Sequence, residues 1–259
     1  KQTLLWRQLL KVIRIQLVSL MIYSTSKHSF VYCFSKKLAN NEEQYAINLQ
    51  LLEKSITHLK GLYRYRIITD ELTHKDVEHL STDIQFIDTS DFIFLEDMKA
   101  KCISLLGQDE TIIDPDLFIF KSLDYVDNFD LIFEHKDSPT KSWYTDNISN
   151  LKGTLLYDRV KNTGSIPFVP NIGFFKINNN KLLHTFTKTY YKYREDLLLN
   201  NITDPNRFNL LLGQYLLGII LYEGNFSYLN LRSTNPVENY THLAGPDKYR
   251  KYNNNKPAI

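Results

Sequence analysis

Cysteine is almost missing from this chain. Cys33 and Cys102 are the only two in 259 residues, too few for a disulfide framework. One falls in a strand-like run and one in a helix-like run, so both are expected as buried free thiols. A strong charge of either sign is also lacking. Lys and Arg number 31 against 29 Asp and Glu, a net charge of +2. That balance gives no electrostatic footprint for nucleic acid and none of the self-repulsion of a disordered acidic chain. No clean membrane span is present either. The apolar run that starts at Phe208 ends at Glu223, short of the ~18 residues a spanning helix needs, and suits a core helix. Internal repeats and low-complexity linkers are missing too, apart from Asn-rich stretches at 178–180 and 253–255. One domain is expected.

What is present has the balance of an ordinary globular protein. Hydrophobic residues make up 43% and charged residues 23%, and the length suffices for one large α/β domain with a buried core. Residues 1–28 stand apart. Leu5, Trp6, Leu9, Leu10, Ile13, Leu17 and Leu20 recur at helical spacing between Lys1, Arg7, Lys11 and Arg14, the pattern of a basic amphipathic helix. Three readings stay open for it: a helix lying on a membrane surface, a helix packed on its own domain, and a stretch preceding a natural start at Met21. The expected location is cytoplasmic, with membrane association through residues 1–20 as the open addition. Sequons at Asn147, Asn201, Asn225 and Asn239 are what an Asn-rich chain produces by chance and say nothing of secretion.

From residue 29 to about 252 strand and helix patterns alternate, and 253–259 reads as a polar tail. Strands are expected at 29–34, 65–69, 84–87, 111–113, 131–133, 153–157 and 173–177. Helices are expected at 42–59, at 98–106 with Gly107 as its C-cap, at 181–193 and at 208–221. The order predicts an α/β fold.

Two short motifs carry the chemistry. Asp114-Pro115-Asp116 follows the apolar run Thr111–Ile113 and precedes Leu117–Phe120. Aspartates around a proline are common in turns, yet here the flanking residues would bury two charges, which then need a cation or a hydrogen-bonding partner. Their place just past a strand end is where α/β sheets gather ligand groups. Near the C-terminus lies His242, followed by Gly245 and Lys248. Two carboxylates and an imidazole suit Mn²⁺ or Mg²⁺ with positions open for phosphate oxygens. Gly245 and Lys248 suit a diphosphate beside that cation.

In segment order, residues 29 to 250 resemble the family-eight glycosyltransferases, the group of glycogenin and the lipopolysaccharide galactosyltransferases. Residues 41–55 resemble the base-binding turn and following helix. Met98–Lys101 resembles the helix whose basic residue contacts the donor. Asp114–Asp116 resembles the metal motif, Pro170–Phe175 the "Asn-x-Gly" strand, Gly213–Leu217 the "Asp-Gln" helix, and His242–Lys248 the closing metal and diphosphate motif. The resemblance implies a single Rossmann-like domain of the GT-A type with a mixed central sheet. It also implies a metal-dependent transferase that moves a hexose from a UDP-sugar to an unidentified acceptor with retention. Asp114, Asp116 and His242 would hold Mn²⁺ or Mg²⁺. Tyr45, Lys101 (with Lys99 close behind), Gly245 and Lys248 would contact the donor, and Asn171 and Gln214 would hold its sugar. This chain departs from the pattern at Gly213, where an acidic residue is expected, and at Tyr249-Arg250, where Pro-Trp is usual. Two alternatives remain: a non-catalytic nucleotide-sugar or carbohydrate-binding protein of the same fold, and a sugar-phosphate nucleotidyltransferase. The latter would need a Gly-rich loop after the first strand, and residues 35–41 contain no glycine.

Overall fold

The computed structural model describes residues 28–39, 41–123, 128–204, 208–236 and 238–243. The N-terminal amphipathic segment, Gly245, Lys248 and the polar tail lie outside them.

Seven strands form one mixed sheet. They are β1 (Ser29–Cys33), β2 (Arg64–Thr69), β3 (Ile84–Phe86), β4 (Glu110–Ile113), β6 (Leu131–Asp137), β7 (Val169–Ile177) and β8 (Tyr228–Asn230). Their order is β3-β2-β1-β4-β7-β6-β8. β3, β2, β1 and β4 run parallel to one another, whereas β7 is antiparallel to both β4 and β6, and β8 is parallel to β6. β5 (Leu117–Ile119) leaves this sheet and pairs antiparallel with β9 (Tyr240–His242).

The central strands are apolar throughout because both faces are covered. Alternation along a strand sends Phe30 and Tyr32 into one core and Val31 and Cys33 into the other. Leu52, Ile56 and Leu59 of α1 (Glu42–Leu59) fill the first core. Asn41 caps that helix by accepting from the Gln44 N–H at 2.8 Å, with Glu42 and Glu43 in the first turn. After a short α2 (His74–Val77), α3 (Leu95–Ile103) and α6 (Asn180–Leu199) cover the second face. Between these two helices come α4 (Ser142–Ser149) and α5 (Leu155–Thr163). Cys33 and Cys102 are free and buried, as expected.

Three expectations are corrected. The strand expected at 153–157 is instead the start of α5: Thr154 accepts from the Tyr157 N–H at 3.2 Å as an N-cap. A short run such as Gly-Thr-Leu-Leu-Tyr fits a strand or a buried helix turn equally, and the cap decides. The helix expected to close at Gly107 ends at Ile103. Gly107 instead donates its N–H to the Glu110 carboxylate at 2.7 Å in the turn before β4. The final core helix begins as π-helix over Phe208–Tyr215 and becomes α7 at Leu216–Gly224. Insertions of this kind recur at functional sites.

Among the described residues no helix is long and apolar enough to cross a membrane.

Candidate metal centre

Asp114 follows the last residue of β4, and its N–H bonds the Gly173 carbonyl of β7 at 2.8 Å. The chain then turns, with the Leu117 N–H on the Asp114 carbonyl at 3.0 Å, and enters β5. Because β5 pairs with β9, Leu117 lies opposite His242, and the Leu243 N–H bonds the Asp116 carbonyl at 2.9 Å. This ladder carries a residue from the far end of the chain onto the aspartate turn. One ligand atom from each of Asp114, Asp116 and His242 lies within 4.8 Å of the others. His242 Nε2 stands 3.4 Å from Asp116 Oδ1.

The other imidazole nitrogen, Nδ1, is 2.5 Å from Oε2 of Glu134 on β6. Glu134 is fully buried and also meets Arg232 at 3.3 Å and His135 at 3.1 Å. Burial opposes its ionisation, but His242 and His135 outweigh that and hold its carboxyl down at about 2. A carboxylate behind a histidine fixes the ring and places the proton on Nδ1, leaving Nε2 for a cation. Burial likewise works against a charged His242, yet Asp116 and Glu134 on either side raise it well above its ordinary range. The ring can lie this close to β7 only because residue 173 is glycine. A Cβ there would stand 2.5 Å from His242 Cε1 and 2.8 Å from Glu134 Oε2. Lys99 of α3 is buried with its ammonium 2.6 Å from Asp114 Oδ1, balancing one of the carboxylates. Hard oxygen donors with one oriented imidazole fit Mn²⁺ or Mg²⁺.

The other expected site residues are distributed as follows. Of the two lysines on α3, it is Lys99 that reaches the centre. Lys101 is exposed and borders a surface pocket with Gln85, Asp88, Tyr191 and Arg194. Tyr45 is buried against Phe34, its hydroxyl donating to Asp76 at 2.7 Å and Lys36 over its ring. Asn171 lies on β7, two residues before Gly173, and accepts that residue's N–H at 3.0 Å. Gln214, on the π-helical turn, accepts from the Tyr144 hydroxyl at 2.8 Å, and that hydroxyl lies 3.3 Å from Asp137. Glu134 was not foreseen. The only trace of it in the sequence is a carboxylate inside the apolar strand Leu131-Ile-Phe-Glu134, a buried charge that requires a partner.

No protein-family model and no curated protein matches the chain. Among solved structures it is similar to the apo form of the glycosyltransferase GlyE of Streptococcus pneumoniae TIGR4. The two are 13% identical with a TM-score of 0.41, over 78% of this chain and 45% of that one. A second GlyE structure gives 12% identity and a TM-score of 0.47, over 85% and 56%. The CTP:phosphocholine cytidylyltransferase LicC of Streptococcus pneumoniae gives 11% and 0.44, over 88% and 97%. The chain thus spans about half the length of the GlyE chains.

Proposed function

We propose that this protein is a metal-dependent glycosyltransferase of the family-eight kind, moving a hexose from a UDP-sugar to an acceptor with retention. The observation that carries the reading is the convergence of Asp114, Asp116 and His242, two distant motifs joined by the β5–β9 ladder. A divalent cation held there would neutralise the charge that grows on a diphosphate leaving group. Lys99 would steady Asp114 and add positive potential on the donor side. Glu134 would hold His242 in the ligating tautomer. Asn171 and Gln214 would orient sugar hydroxyls, and Tyr45 would form part of the wall near the base. Gly245 and Lys248 would contact the diphosphate from the segment after β9.

The test is calorimetric titration of UDP and UDP-hexoses with Mn²⁺ and after chelation, followed by an assay for released UDP. Binding is expected only with the cation. Asp116→Asn, which keeps shape and removes charge, is expected to slow UDP release at least about tenfold, or roughly 1.4 kcal/mol. Binding indifferent to chelation would overturn the reading, and metal-dependent binding without turnover would leave a non-catalytic nucleotide-sugar binder.

A further inference from the structure

Glu96, in the first turn of α3, is a buried carboxyl beside the candidate centre. It is only 5% exposed, and its Oε1 has no hydrogen-bond partner among the described residues. It faces the π-helical turn at Gly213, where an added Cβ would stand 3.3 Å from Glu96 Cγ and 3.4 Å from Ile172 Cδ1. A side chain at 213 would therefore crowd the place Glu96 occupies. The carboxyl is also close enough to feel Lys99 and Asp114 of the metal centre. Burial raises it to about 7, Lys99 pulls it down and Asp114 pushes it up. α3 and the π-helical turn thus meet at Glu96 and Gly213, and Ile172 of β7 borders the same spot at Gly213. A buried, unsatisfied acceptor beside a candidate metal centre is costly to keep unless a ligand completes it.

We propose that Glu96 is a donor-binding residue whose open carboxyl oxygen accepts a hydrogen bond from a hydroxyl of the nucleotide-sugar's hexose. The inference rests on the glycosyltransferase reading above and adds to it a sugar-reading carboxyl supplied by α3. Gly213 is then the residue that makes room for it.

The test compares wild type, Glu96→Ala and Glu96→Gln by calorimetry with Mn²⁺, using UDP and a panel of UDP-hexoses. Wild type is expected to bind its best UDP-hexose more tightly than UDP. Glu96→Ala is expected to lose at least tenfold for that UDP-hexose and less than twofold for UDP, with Glu96→Gln between, since an amide oxygen still accepts. In the ligand-free protein Glu96→Gln is expected to melt no lower than wild type, so the conservative variant decides the matter if the alanine variant does not fold. Equal losses for UDP and UDP-hexose, no loss for either, or a lowered melting point in Glu96→Gln would each overturn the role of Glu96 alone. A wild type that binds neither UDP nor any UDP-hexose would overturn the donor reading itself, and Glu96 with it.

Discussion

On α3, Lys99 brings its ammonium to 2.6 Å from Asp114, while Lys101, two positions on, stands in solvent. Two residues turn a helix by about 200°, so only one of the pair can face the centre. Composition cannot choose between them, because both are lysines beside small or apolar neighbours. The choice depends on how α3 is rotated against the sheet, which Met98 and Cys102 set by burying themselves in the core. The pair makes a clean comparison. Lys99→Ala should cost about 1.5–3 kcal/mol, the worth of a charge-assisted bond whose partner is left behind. Lys101→Ala should stay within about 0.5 kcal/mol. Urea denaturation of the metal-free protein measures both, and equal effects would mean that Lys99 is not paired as described.

Among elements, β7 does the most to position the centre. It hands the Gly173 carbonyl to Asp114, and its missing side chain leaves the space where His242 and Glu134 meet. Gly173→Ala should push the imidazole off the strand and weaken Mn²⁺ binding at least about tenfold, while destabilising the fold by about 1–3 kcal/mol of overpacking. Gly107→Ala, whose Cβ would come no nearer than 3.5 Å to Glu110, is the control and should leave Mn²⁺ affinity unchanged. Paramagnetic titration of Mn²⁺ reads both. The Asn-x-Gly pattern was legible in the chain, but the reason for its glycine was not. That reason is a histidine 69 positions away (173 to 242), delivered by β9. The segment at 153–157 failed in the opposite direction. Its local pattern fitted two elements, and a single capping hydroxyl decided for the helix.

For the molecule as a whole, Asp137 and Glu96 push stability in opposite directions with pH, and Glu134, also held at about 2, acts with Asp137. Asp137 is buried, and burial works against its charge, but His135 and Lys141 prevail and hold it at about 2, below its ordinary 3.8. Its contribution is present above about pH 4 and lost as pH falls toward 2. Glu96 behaves in reverse. With its carboxyl raised from 4.5 to about 7, mainly by burial, the folded state binds the extra proton between those values, so stability declines as pH rises through that window. The metal-free protein should therefore be most stable near pH 4–5. Asp137→Asn should make the acid limb shallower, leaving the part that Glu134 supplies, and Glu96→Gln should flatten the decline from pH 4.5 to 7. Urea midpoints collected from pH 2 to 8 test both limbs, and a wild-type profile that kept rising to pH 7 would contradict the raised Glu96.

The amino-acid sequence by itself determined the α/β class, the free thiols and the three residues of the candidate centre. These rest on local signals: periodicity, helix caps, and charged groups set among apolar neighbours that require a partner. Only the tertiary structure decided that Lys99 rather than Lys101 serves Asp114, that Glu134 stands behind His242, and that Glu96 occupies the space beside Gly213. Each of these is a contact between residues far apart in the chain. Such contacts depend on helix rotation and strand order, and both are set by the packing of the whole core.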